Sequence, residues 1–205
     1  MKCYLIRHGR TQANIDRRYS GGRTDDPLTE AGREALCEVT VRESAALLFT
    51  SPMTRARQTA EILFPARDGI VLEEFREMDF GLFDGCTNDE LSGDPAYQAW
   101  IDSNGRARFP EGEDMEEFRA RSMGALQKAV RVCREQKAEA LYVVAHGGTI
   151  MAVMSTLTGE PYYDFLVHNG EGYQIELEET DAGDVVAAGA YDRFCGGVRT
   201  GSADR

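Results

Sequence analysis

Cysteine is scarce in this sequence and follows no pattern. Cys3, Cys37, Cys86, Cys133 and Cys195 are odd in number, widely scattered and free of C-x-x-C spacing, which excludes a disulfide framework or a zinc ribbon. Long apolar runs are missing too, so no segment reads as membrane-spanning. The first apolar run begins at Lys2 and leaves no room for a secretory leader, and the expectation is a cytoplasmic protein. Proline occurs six times, and no Pro/Gly/Ser linker, low-complexity tract or internal repeat divides the chain. One domain over residues 1–205 is therefore expected, long enough to bury a sizeable core unaided. Positive charge is the clearest shortage. Against 35 Asp and Glu stand 23 Lys and Arg, and the formal net charge of −12 argues against nucleic acid or an anionic membrane as partner. Gly21-Gly22 and Gly147-Gly148 complete no Walker or dinucleotide fingerprint, so no nucleotide cofactor is implied. There are three histidines, His8, His146 and His168, with no spaced carboxylates to complete a metal site, and no metal is expected.

What remains is a small ligand, and an acidic protein that binds an anionic one must do so with a few local cations. Two stretches show where. Cys3-Tyr-Leu-Ile6 is an apolar run of strand character that ends in Arg7-His8-Gly9, and Ala140-Leu-Tyr-Val-Val-Ala145 ends in His146-Gly147-Gly148 before a helical pattern. Ligands of open α/β sheets bind just beyond the carboxyl ends of parallel strands. Two strands thus deliver two histidines to equivalent places.

Between them the chain alternates. Thr11 to Asp26 reads as a loop with one helical turn, Thr29 caps a helix, and Ala45–Phe49 is a short strand. Ser51 is placed to cap the next helix, with Pro52 at its first position, and that helix runs to about Phe64. It carries Arg55 and Arg57, which lie two residues apart and so point to different faces; Arg55, nearer the helix start where amides favour an anion, is the candidate ligand. A strand is expected at Gly69–Leu72, then a loop of acids, aromatics and glycines over Glu73–Gly85. Short amphipathic pieces around Tyr97 and Trp100 suggest a lid over residues 84–113 before a long helix from Asp114 to about Glu135. A helix from about Thr149 to Leu157 and strands near Gly172–Leu177 and Val185–Tyr191 follow, and the tail from Phe194 to Arg205 is polar and glycine-bearing. This alternation predicts an α/β fold, a three-layer αβα sandwich around a mostly parallel sheet.

Five ordered blocks carry a resemblance: Leu5–Asn14, Pro27–Gly32, Ser51–Ala60, Glu77–Gly85 and Val144–Gly148. Together they resemble the histidine phosphatase superfamily, also called phosphoglycerate mutase-like, and Phe109-Pro-Glu-Gly-Glu113 with the Asp94–Trp100 helix is similar to small phosphatases of the α-ribazole type. The resemblance implies that His8 is a nucleophile forming a phosphohistidine. It implies further that Arg7, Arg55 and His146 hold phosphoryl oxygens, with Asn14 and the Gly147 backbone as additional contacts. Glu77 fills the position of the proton donor, with Asp79 and Asp84 as nearby competitors. Arg10 departs from the pattern, because the family often has Glu after Arg-His-Gly. The chemistry fits these residue types. Phosphoryl transfer needs mainly positioning and charge stabilisation, which guanidinium forks supply without a metal.

Three functions stay open: a phosphomonoester hydrolase acting on a small phosphorylated metabolite, a cofactor-dependent phosphoglycerate mutase, and a phosphate-sensing protein without turnover. The mutases of this family carry a longer, more basic segment between the acid and the second histidine. Here that segment is rich in acids, with Arg106 and Arg108 as its one closely spaced cation pair, which favours the hydrolase. Substrate identity and oligomeric state are not fixed by the sequence.

Overall fold

A computed structural model describes residues 1–36, 46–180 and 182–194. Cys37, Ala45, Cys195 and the tail beyond Phe194 lie outside the described residues. Six strands form one sheet: β1 Lys2–Arg7, β2 Ala46–Thr50, β3 Ile70–Val71, β4 Ala140–Ala145, β5 Gly172–Glu179 and β6 Val185–Phe194, in the order β3-β2-β4-β1-β5-β6. β3, β2, β4 and β1 run parallel, while β5 and β6 are antiparallel additions on the far side of β1.

β4 is buried at every position, as expected for a central parallel strand covered on both faces. Side chains alternate across β1, and the two faces serve different cores. Cys3 and Leu5 join Leu141 and Val143 in one core, and Tyr4 and Ile6 join Tyr142 and Val144 in the other. Helix α5 (Met115–Glu135) and helix α6 (Gly147–Thr158) fill the first; helix α3 (Thr54–Leu63) fills the second through Ala56 and Ala60. The layers are helix, sheet, helix. α5 presents Phe118, Ser122, Ala125, Leu126, Ala129, Val130 and Cys133, a stripe at three- and four-residue spacing, and starts at an Asp114–Glu117 capping box. Among the described residues no helix is long and apolar enough to cross a membrane.

The remaining helices are α1 (Gln12–Ile15), α2 (Glu30–Leu36) and α4 (Pro95–Asp102). Thr29 caps α2 by accepting from Gly32 N at 3.1 Å, as its sequence position predicts. The expected cap of α3 does not form. That helix begins at Thr54, with Met53 at its N-cap and no side-chain bond there, so Pro52 precedes the first turn. Ser51 has a partner elsewhere. β3 is shorter than predicted, two residues on the sheet edge, while α6 starts two residues earlier than predicted, so that Gly147 and Gly148 lie in its first turn.

The segment 84–113 holds α4 and packs on a third, separate cluster in which Phe83, Phe109, Tyr97 and Trp100 stack around one another above Phe118 and Ala152. The loop before it turns at Gly81, whose φ is +56°, with Pro110 O only 1.9 Å from where a Cβ would stand. Gly81→Ala is expected to cost about 2–4 kcal/mol, since left-handed strain adds to a backbone collision. A urea titration against the wild type reads this, and an unchanged midpoint would show that the loop relaxes freely.

Candidate active site

β1 and β4 are parallel neighbours with Arg7 opposite Ala145, so His8 and His146 emerge side by side at the carboxyl edge. Their rings lie 5.2 Å apart between centroids, close to the spacing of the strands that carry them. The chain leaves β1 toward the α2 and α3 face and leaves β4 into α6 on the other, which opens a crevice at this point of the sheet. His8 is 4% exposed and His146 fully buried.

Hydrogen bonding fixes both tautomers. His8 Nδ1 lies 2.7 Å from Gly9 O, which can only accept, so the proton sits on Nδ1 and the lone pair on Nε2. At His146 the roles reverse: Arg55 Nε donates to Nδ1 at 3.2 Å, which leaves the proton on Nε2 to donate to Ser51 Oγ at 2.7 Å. Burial, reinforced by the guanidiniums of Arg55 and Arg7, holds both imidazoles well below the usual histidine value. Both are neutral at physiological pH.

Arg55 is fully buried, and each nitrogen of its head group donates within the protein, with one N–H of Nη1 left over. Nη1 donates to Thr24 O at 2.6 Å and Nη2 to Gly21 O at 3.1 Å, which wraps the 20–24 loop around the guanidinium. Arg57, two residues on, is exposed, as helical geometry predicts. Arg7 donates from Nη1 to Val167 O at 2.5 Å, whereas its buried Nε has no partner. That nitrogen lies beside Gly147, where a Cβ would stand 3.4 Å from it. Desolvation pulls both arginines below their ordinary basicity and Glu77 pulls them back, leaving two buried cations.

Glu77 is 7% exposed and faces these cations. Its carboxylate accepts from Met78 N at 2.9 Å and Gly148 N at 3.0 Å, yet burial outweighs those bonds and holds its pKa above the usual glutamate value. The competitors are committed elsewhere. Asp79 pairs with Arg23 at 2.7 Å and accepts from Gly81 N, and Asp84 accepts from Gly21 N, Arg23 N and the Thr24 hydroxyl. Arg121 of α5 clamps the approach to Glu77. It donates to Glu74 O and Arg76 O at 2.8 Å and pairs with Glu113.

Asn14 and Gly147 line the same crevice. Asn14 Oδ1 accepts from Thr11 N, closing the cap of α1, and from Asn169 Nδ2 at 3.0 Å. Sequence reasoning missed Asn169. Its amide also donates to His8 O at 3.0 Å, so it ties the His8 backbone to Asn14. Ser51 and Thr59 were missed as well: Thr59 Oγ1 accepts from Gly9 N at 2.9 Å and donates to Arg55 O at 2.7 Å. Nothing local marks any of the three, because each acts on a residue distant in sequence.

The crevice brings together two neutral histidines, two buried arginines and one buried carboxyl, a combination whose chemistry suits an anionic ligand. The chain belongs to the histidine phosphatase superfamily (branch 1), whose family model matches residues 3–186. Among curated relatives, "Probable phosphoglycerate mutase GpmB" of Cronobacter sakazakii is 32% identical over 172 residues, covering 80% of this chain and 77% of the relative. The solved α-ribazole phosphatase of Shigella flexneri superposes with a TM-score of 0.76 at 25% identity, covering 91% of this chain and 94% of that one. A phosphoglycerate mutase structure from Thermus thermophilus gives 0.66 at 29% identity, over 86% and 93% of the two chains.

Proposed function

We propose that this protein hydrolyses small phosphomonoesters through a phosphohistidine on His8. The observation that carries the reading is the state of His8: buried, neutral, its Nδ1 proton held by Gly9 O and its Nε2 lone pair free beside two buried guanidiniums. Nε2 attacks phosphorus, and the bond to the ester oxygen breaks with its electron pair on that oxygen. Glu77, protonated, gives the leaving oxygen its proton. The resulting carboxylate then takes a proton from water, the water oxygen attacks phosphorus, the P–N bond breaks, and inorganic phosphate leaves. Arg7, through its unpartnered Nε–H, together with Arg55, the Asn14 amide, the Gly147 backbone and the Nε2–H of His146, which exchanges Ser51 Oγ for the substrate, holds the phosphoryl oxygens as charge shifts. No nucleic acid or membrane takes part. The segment 84–113 closes over the leaving group as a lid, tethered by Arg18, which donates to Gly85 O at 2.7 Å and Glu90 at 2.9 Å.

Hydrolysis rather than mutase turnover is supported by Arg108. Of the cation pair in the acid-rich segment, this member is tied to Gly112 O, Asp114 and Glu117, so it is not free to retain a bisphosphate intermediate. The name of the curated relatives favours the mutase as second reading. Incubation with 3-phosphoglycerate and the bisphosphate primer separates the two: phosphate release without 2-phosphoglycerate is expected, and rapid isomerisation with little release would reverse the assignment. Activity in that assay is expected to survive EDTA, because Arg7 and Arg55 supply the charge. A loss restored by Mg²⁺ or Zn²⁺ would show that they do not.

A further inference from the structure

The phosphate crevice opens into a cavity of about 420 Å³ with Arg7, Asn14 and Asn169 at its base and Arg10, Arg17 and Arg18 around its rim. Among the described residues no carboxylate lines it, in a chain with a net charge of −12. A second opening, at the Glu77 loop, is of mixed charge, with Glu73, Glu74, Glu77, Asp79 and Glu113 interleaved with Arg23, Arg76 and Arg121. Arg23, Arg76, Arg108 and Arg134 are paired, by Asp79, Glu73, Asp114 and Glu179, whereas Arg57, Arg106 and Arg131 are exposed with no ion pair among the described residues but do not line this cavity. On the rim, Arg18 is matched by Glu90, but Arg10 and Arg17 make no ion pair among the described residues.

Both side chains project from fixed backbone. Arg10 O accepts from Thr29 N at 2.9 Å and from the Thr29 hydroxyl, and Arg17 follows α1 with a φ of 54° while Arg18 N bonds back to Ala13 O. That is a helix-ending position where glycine or asparagine is the easy residue, and arginine stands there instead. Arg7 and Arg55 already balance a phosphoryl dianion, so two more cations at the mouth are surplus to a simple phosphomonoester.

We propose that the natural substrate carries a second anionic group, a carboxylate or a second phosphate, which Arg10 and Arg17 hold while the first phosphate reaches His8. This rests on His8 as the phosphoryl acceptor, whether water or a second substrate then takes the group. Surface cations of this kind act by charge-assisted hydrogen bonds to an anion and by raising its local concentration.

The test measures single-turnover phosphoenzyme formation, a step common to hydrolase and mutase, on matched esters. These are 3-phosphoglycerate against glycerol 3-phosphate, and propane-1,3-diol bisphosphate against its monophosphate. In the wild type the ester with the second anion is expected to react with a second-order rate about tenfold or more above its neutral partner, the range of one good charged hydrogen bond. In Arg10→Gln/Arg17→Gln the ratio should collapse toward one, while glycerol 3-phosphate stays within about twofold of the wild type, since only interactions with the second anion are removed. A preference confined to the first pair or to the second identifies the anion as carboxylate or phosphate. Equal wild-type rates within both pairs, or equal losses on every ester in the variant, overturn the proposal. Formation of 2-phosphoglycerate in place of free phosphate would instead overturn the hydrolase reading and leave the rate ratios to judge the subsite.

Discussion

His8→Ala is expected to abolish turnover, with a fall on the order of 10⁴-fold or more, the scale on which loss of a nucleophile registers. The acid-labile, alkali-stable phosphoenzyme formed by the wild type should vanish with it. No neighbour can take over. His146 stands 5.2 Å away, but Arg55 occupies its Nδ1 and Ser51 its Nε2, so it offers phosphorus no lone pair. The variant should still fold, because His8 is fixed largely through main-chain atoms: its own N–H bonds to Ala145 O at 3.0 Å and its carbonyl accepts from Asn169. Wild-type rates in a well-folded His8→Ala would assign the chemistry to another group. A phosphoenzyme persisting in it would place the acceptor elsewhere.

Glu77→Gln should cost on the order of a hundredfold or more in phosphoenzyme formation from an alkyl phosphate, the range general acids supply. The loss should be uneven. An alkoxide leaving group needs a proton as the ester bond breaks, whereas p-nitrophenolate is a far weaker base and needs little help, so the p-nitrophenyl ester should phosphorylate His8 with a much smaller penalty. Steady turnover on both esters still falls if the same carboxylate activates water. The pH dependence follows from the direction of the shift. Burial raises the Glu77 pKa above its ordinary 4.5, so the acid form persists to higher pH than in a free glutamate. Phosphorylation by the alkyl ester should decline as pH rises through that raised value, and the Glu77→Gln substitution should remove this limb. The sign for stability is the same: the neutral carboxyl's contribution is complete below about 4.5 and is lost as pH climbs through the folded pKa. Single-turnover rates with the two esters across pH would decide the role. Equal losses would make Glu77 a shaping residue, and Asp79→Asn and Asp84→Asn would be examined next.

The strands that carry the histidines were legible because both are buried on two faces, and such strands read as unbroken apolar runs that stop where the chemistry starts. Helical geometry placed Arg55 and Arg57 on different faces, and nearness to the helix start singled out Arg55. Ser51 shows where local rules fail. Its position before Pro52 suits a helix cap, and its hydroxyl does accept from Met53 N at 3.3 Å, but α3 starts only at Thr54 and the same hydroxyl meets His146, 95 residues away in sequence. Asn169 is hidden for the same reason, since an amide that bonds the main chain of His8 leaves no periodic or capping signature. The start of α6 was misplaced because paired glycines read as helix breakers. Here their lack of side chains is what the site uses: a Cβ on Gly148 would sit 2.5 Å from Glu77 Oε1.

The aromatic cluster that residues 84–113 share with Met78 and Phe83 is distinct from both sheet cores and includes Phe118 of α5 and Ala152 of α6. Substitutions in it are therefore nearly additive with those in the sheet. On the proposed reading of 84–113 as a lid over the leaving group, the segment that meets the organic part of the substrate packs on a cluster of its own, apart from the strand ends that bear His8 and His146. Substrate range and catalytic competence are, in this architecture, two traits that selection can tune apart.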